Sequence, residues 1–260
     1  MQRGLVMVRL YTFLIFVAVS GTTALGWRAP APGNAPQPKP SAADQLAQTV
    51  NFDVWANADP SLTLEQALEY LTDRYELNFV TNERAFEDEA EEANNERVLD
   101  FQIATKPIPR MFKVTLEQVL RKILSRVPAQ FEATYLIRDN IIEITTRKAA
   151  AKEVLGNADL PLPPLVTKKI DKRLLSEALE DVSKATGVSV VLDVGVTEAA
   201  KRAVSANLMN VPIDTAVKLL ADMADLGAIR LDNAIYVTTR DKAKVLRKEK
   251  PEGARKKQSK

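Results

Sequence analysis

The sequence predicts an α+β protein made of two tandem βαββαββ units, each a small mixed sheet with two helices packed on one face. Three observations predict it. "IRDNIIEITT" at 137–146 returns as "RLDNAIYVTT" at 230–239, and in both places two short apolar runs meet at Asp-Asn and close on Thr-Thr-Arg. Four segments repeat their apolar residues at i, i+3, i+4 and i+7, the spacing of one helix face. Between those segments lie short runs that alternate apolar and polar residues, as half-buried strands do.

Taken in order, the first unit opens with "VNFDVW", where Val50, Phe52 and Val54 alternate with polar neighbours. "TLEQALEYLTDRY" places Leu64, Ala67, Leu68 and Leu71 on one helical stripe, and Thr63 with Gln66 forms a capping box at its start. "LNFVT" follows as a short strand. "VLDFQIAT" alternates Leu99, Phe101 and Ile103 and predicts the third strand. "TLEQVLRKILSRV" repeats the helix signal with Leu116, Val119, Leu120 and Ile123, again capped by Thr115 and Gln118. The Asp139-Asn140 hairpin closes the unit, because Asp and Asn tolerate turn geometry.

The second unit runs in the same order. Val166 to Ile170 is its first strand, and "LLSEALEDVSKATG" puts Leu175, Ala178, Leu179 and Val182 on one face with Gly187 as its stop. "VSVVLD" and "VSANL" are strands. "PIDTAVKLLADM" carries Ile213, Ala216, Val217 and Leu220 behind Pro212 at a first-turn position. The Asp232-Asn233 hairpin ends the unit. Tyr236 alternates with Ile235 and Val237 and is expected on the opposite sheet face.

The flanks read differently. Arg3 and Arg9, an apolar run from Leu10 to Val19, then Ala24 and Gly26 follow the plan of a secretory signal, so residues 1–26 are read as a signal peptide or a retained N-terminal anchor. Residues 27–47 are expected to be a Pro/Ala-rich disordered tether, and 148–164 a Pro-rich linker that can start helically at Ala149 to Leu155 before Pro161, Pro163 and Pro164 force an extended end. The units then span 48–147 and 165–240, and a basic disordered tail spans 241–260. The first unit holds an acidic insert at 82–100, "NERAFEDEAEEANNERVLD", with eight acids and two arginines. It has no Asp-x-Asp-x-Asp-Gly order for calcium, so a solvated segment is the favoured reading over a cation site or a dock for a basic partner.

Composition narrows the chemistry. Cys and His are both absent, which removes thiolate and imidazole ligands, disulfides and every triad that needs imidazole. The nine glycines form no phosphate-cradling loop. No cofactor, metal or small-molecule substrate is expected. The carboxylates Glu65, Glu69, Asp73 and Glu76 lie at helical spacing, but the apolar stripe turns the first three toward solvent or the stripe's flanks, so the chain is not expected to be an enzyme.

"FDVWANADPSLTLEQALEYLTDRYELNFV" and "LLSEALEDVSKATGVSVVLD", each followed by a strand, a helix and a hairpin, resemble the short secretin and TonB N-terminal domain, in two tandem copies. Phe52, Asp53, Val54, Ala56, Ala67 and Leu68 sit on that pattern, as do Ala178, Leu179, Gly187, Val190, Val191 and Asp193 in the second copy. Glu76 stands where the second unit has Gly187, and Val127-Pro128 is set against Leu226-Gly227. No barrel-like run of alternating strands follows either copy. The resemblance implies a periplasmic or cell-envelope location and a non-enzymatic protein–protein interaction or assembly role, as in secretion or TonB-linked signalling machinery, through protein partners or self-association. The alternative is polyanion or nucleic-acid binding through the basic tail, with Arg247, Lys248, Lys250, Arg255, Lys256, Lys257 and Lys260 as contacts.

Overall fold

The computed structural model describes residues 40–56, 58–90 and 97–249. The signal or anchor segment, most of the expected tether, Trp27, the centre of the acidic insert and the tail beyond Glu249 lie outside the described residues.

The protein is α+β, with two repeats of like strand order. The first contains α1 (Ala42–Leu46), β1 (Thr49–Phe52), α2 (Leu64–Tyr75), β2 (Phe79–Thr81), α3 (Glu83–Glu87), β3 (Met111–Thr115), α4 (Leu116–Leu124), β4 (Ala133–Arg138), β5 (Ile141–Thr146) and α5 (Arg147–Leu155). The second contains β6 (Leu165–Leu174), α6 (Leu175–Thr186), β7 (Ser189–Leu192), β8 (Ala203–Pro212), α7 (Ile213–Met223), β9 (Leu226–Leu231), β10 (Ala234–Thr239) and α8 (Arg240–Glu249). Each repeat splits its five strands between a three-stranded mixed sheet, ordered β2-β5-β4 or β7-β10-β9, and a two-stranded antiparallel ribbon, β1-β3 or β6-β8.

The capped, striped segments fold as expected. Thr63 and Thr115 accept from the backbone N–H of Gln66 and Gln118, whose side chains reach back. The stripes bury Leu64, Ala67, Leu68 and Leu71 in α2 and Leu175, Ala178, Leu179 and Val182 in α6. Each repeat has its own apolar cluster, with Leu71, Leu116, Ile123 and Ile144 in one and Leu175, Val217, Leu220 and Val237 in the other. Burying each such side chain contributes about 1.5–3 kcal/mol before the entropy of ordering is set against it.

Four pairs of unusual backbone positions repeat as well, while Asn140, Lys172 and Gly156 have a positive φ with no counterpart among the described residues. Positive φ occurs at Glu76 (55°) and Gly187 (69°), at Lys113 (53°) and Asn210 (49°), at Glu132 (42°) and Asp225 (61°), and at Asp139 (45°) and Asp232 (50°). For a residue with a Cβ this conformation costs about 1–2 kcal/mol. Its recurrence at matched places marks the repeats as structural twins. At the ribbon bulges the device is shared too: Lys113 N–H donates to Asn51 Oδ1 at 3.0 Å, and Asn210 N–H donates to Thr167 Oγ1 at 2.9 Å.

The Thr-Thr-Arg motif has a structural reason. Thr145 and Thr238 are buried. Thr146 and Thr239 then accept from the N–H groups of Ala149 and Lys242, starting α5 and α8. Arg147 pairs with Glu132 and Arg240 with Asp225, so each arginine meets the acid at the left-handed position before the hairpin.

Four expectations change. "VLDFQIAT" makes a single 3₁₀ turn and one isolated bridge, Thr63 to Gln102; its apolar residues Phe101 and Ile103 are buried without a partner strand. The third strand is instead β3, whose bulge at Lys113 breaks the alternation that would announce it. Residues 42–46, expected in the tether, form a capped helix that buries Ala42 and Leu46, and Ala42 N–H donates to Asn140 Oδ1. A helix also occupies 240–249, where a disordered tail was expected, with Ala243 buried, while the helical start of the linker is α5, which buries Ala150 and Ala151. Finally, strand pairing places Thr146 opposite Ala133 and Thr239 opposite Leu226, so the counterpart of Gly227 is Thr134, not Pro128.

Candidate interaction site between the repeats

The site begins with one side chain. Asn210 sits on the β8 bulge of the second repeat and treats β4 of the first as a strand would. Its Oδ1 accepts from Ile137 N–H at 3.0 Å and its Nδ2 donates to Ile137 C=O at 2.7 Å. Both backbone groups of Ile137 therefore point away from β5. On β5, Ile142 N–H donates to Asn78 C=O and Ile144 C=O accepts from Asn82 N–H, so these residues turn toward the β2 side. Ile142 and Ile144 lie opposite Ile137 and Tyr135. Alternation along an antiparallel ladder then turns the N–H and C=O of Tyr135 and Ala133 outward with those of Ile137. Among the described residues no donor or acceptor meets these outward groups of Ala133 and Tyr135.

They face a cleft of about 380 Å³. Its walls include Leu46 of α1, Arg121 of α4, Thr134 of β4, Pro163 and Pro164 of the linker and Leu165 of β6. Its three basic side chains are already paired, and Asp44, bonded to Ser41, lines it as well. Arg121 pairs with Glu117 at 2.8 Å, Lys168 pairs with Asp181 at 2.8 Å, and Arg147 pairs with Glu132. Tyr135 donates its hydroxyl to Glu117 Oε1 at 2.8 Å under the Arg121 guanidinium. Burial first, then the Glu117 charge, holds that phenol far above the usual range, so it is neutral.

The second repeat has the corresponding edge, β9, but treats it differently. Gly227 brings α8 close: a Cβ there would stand 2.7 Å from Ala243 Cβ. Arg247 then donates to Ala228 C=O at 3.3 Å, the group that corresponds to the outward carbonyl of Tyr135. In the first repeat Thr134 replaces Gly227 and Val154 replaces Arg247. The arm that reaches one edge is missing from the other.

Other predicted positions resolve as follows. Arg247 is engaged with Ala228, and Lys248 lies in the last turn of α8. Lys250, Arg255, Lys256, Lys257 and Lys260 lie outside the described residues. Glu69, Asp73 and Glu76 are exposed, and Glu65 pairs with Arg97 at 3.7 Å. Burial raises the carboxyl of Glu83 in the acidic insert, yet Glu83 lines neither this cleft nor the one beside α8. Among the described residues no group of three or more acids is placed to hold a metal ion. Trp55 packs edge-on to Phe52 and Tyr70 at 4.8 and 5.4 Å, in the core. Tyr236 lies half-buried between the buried Ile235 and Val237.

Sequence reasoning missed the cleft because it depends on two differences between the repeats, at 134 and 154, and on Asn210 reaching across. No family model matches the chain, and no curated protein matches it.

Proposed function

We propose that the chain is an exported, non-enzymatic protein-interaction or assembly module of a bacterial envelope system, of the kind found in secretion or TonB-linked signalling machinery. The open β4 edge inside the inter-repeat cleft is the observation that supports this best. Unpaired strand groups are a template for another chain.

The test is capture of a partner by the full chain in envelope extract, with the wild type beside a variant whose cleft is filled by Thr134→Trp. A partner held by the wild type and lost by a folded variant supports the role. Equal capture by both, or none by either, rejects it. A polyanion added to the same extract tests the alternative role of the basic tail, since loss of capture on its addition would favour that reading.

A further inference from the structure

We infer that the cleft takes an extended peptide segment of another protein, free of acidic side chains, which adds to β4 as a fourth strand of the β2-β5-β4 sheet. This inference rests on the interaction role proposed above and goes further in naming the ligand class and the pairing atoms.

The register sets the footprint. Ala133 and Tyr135 each offer one outward N–H and one outward C=O, and the backbone of an extended chain is the ligand that answers both in alternation. Asn210 closes the edge at Ile137, and the left-handed turn at Glu132 ends it on the other side. What remains is room for about four peptide residues at roughly 3.3 Å each. The ligand brings no acid into the cleft, because Arg121, Arg147 and Lys168 already hold carboxylates and Asp44 adds a further negative charge, so an acidic side chain would have to break a pair or meet like charge. Its side chains on the cleft side meet Leu46, Pro163 and Leu165, which favours aliphatic residues. The contrast with β9 shows what blocks such a site: an arginine arm on the edge carbonyl and a helix seated on glycine.

The probe is a set of blocked hexapeptides alternating Val or Ile with Thr or Ser, added to the full chain and followed by residue-resolved amide exchange. Binding is expected to slow exchange at Ala133 and Tyr135 by on the order of tenfold and to leave Ala228 unchanged. Each binding peptide is then remade with N-methyl groups on alternate residues, in two series. One series is expected to lose binding and the other to keep it, since only one set of amides faces β4. The double variant Thr134→Gly/Val154→Arg, which installs the second repeat's arm, is expected to weaken binding on the order of tenfold. Binding that leaves both amides unprotected, equal tolerance of the two N-methyl series, or no binding by any peptide overturns the inference. If a partner is captured through the cleft while these peptide results fail, strand addition is wrong and the interaction role stands.

Discussion

The same substitution at twin positions should have opposite effects. Thr238 and Thr145 occupy equivalent buried sites, each the first threonine of Thr-Thr-Arg. Thr238 Oγ1 donates to Asp193 Oδ2 at 2.6 Å. Thr145 Oγ1 is buried with no partner among the described residues. The reason lies one strand away. Asn82 stands where the second repeat has Asp193, and its amide donates to Glu143 Oε1 at 3.0 Å rather than serving Thr145. Tyr236 takes the place of Glu143 in the second repeat, so an acid at 193 meets no like charge there. Valine keeps the branched shape and removes the hydroxyl. Thr238→Val loses a hydrogen bond of about 1–2 kcal/mol. Thr145→Val removes a desolvated, unpaired hydroxyl and should be neutral or stabilising by up to about 1 kcal/mol. Urea unfolding followed by circular dichroism, with thermal scans beside it, reads both; about 2–4 °C of Tm per kcal/mol is expected for a chain of this size. Equal destabilisation by the two variants would refute the reasoning, since it would mean that Thr145 has a partner worth as much as Asp193.

Three further outcomes follow from named contacts. Gly227→Ala should destabilise by about 1–3 kcal/mol, because its Cβ would collide with Ala243, and faster amide exchange in α8 is the accompanying sign. Asn210→Ala should cost about 1–3 kcal/mol by stranding both backbone groups of Ile137 and adding strain at a φ of 49°, with faster exchange at the Ile137 amide as its marker. The bond from Thr238, helped by Gly195 N–H and Lys242, holds the Asp193 carboxyl far below its ordinary 3.8. A depressed folded value means that its stabilising effect is complete above the unfolded value and is lost as pH falls below about 4 toward the folded one. Asp193→Asn should therefore flatten the acid limb of a stability-against-pH curve measured by urea midpoints, and an unchanged limb would contradict the assignment.

Much of the fold was legible, and what was hidden has physical causes. Helices α2, α4, α6 and α7 announce themselves because each buries a full stripe, and α2 and α4 carry side-chain caps at their starts. The hairpins are equally plain, since Asp-Asn must turn there. Helices α1 and α8 are hidden because each buries few or small residues, such as Ala42 and Ala243, which composition cannot tell from a tether or a tail. Strand β3 is hidden by the bulge at Lys113, while Phe101 and Ile103 imitate a strand by being buried in irregular chain. The candidate site was legible only as the general fact that a small sheet leaves an edge. Which edge is open depends on Gly227 against Thr134 and Arg247 against Val154, and those pairs line up only once the strand register is known.

The central claim is that another protein occupies the cleft at β4. A photo-crosslinking amino acid placed at Thr134 in the full chain, in its native cells, tests it directly, with Val80 on the far edge of the same sheet as the exposed control. A discrete cross-linked protein from position 134, absent from position 80, is the predicted result. No product from 134, or the same product from both positions, would contradict the account.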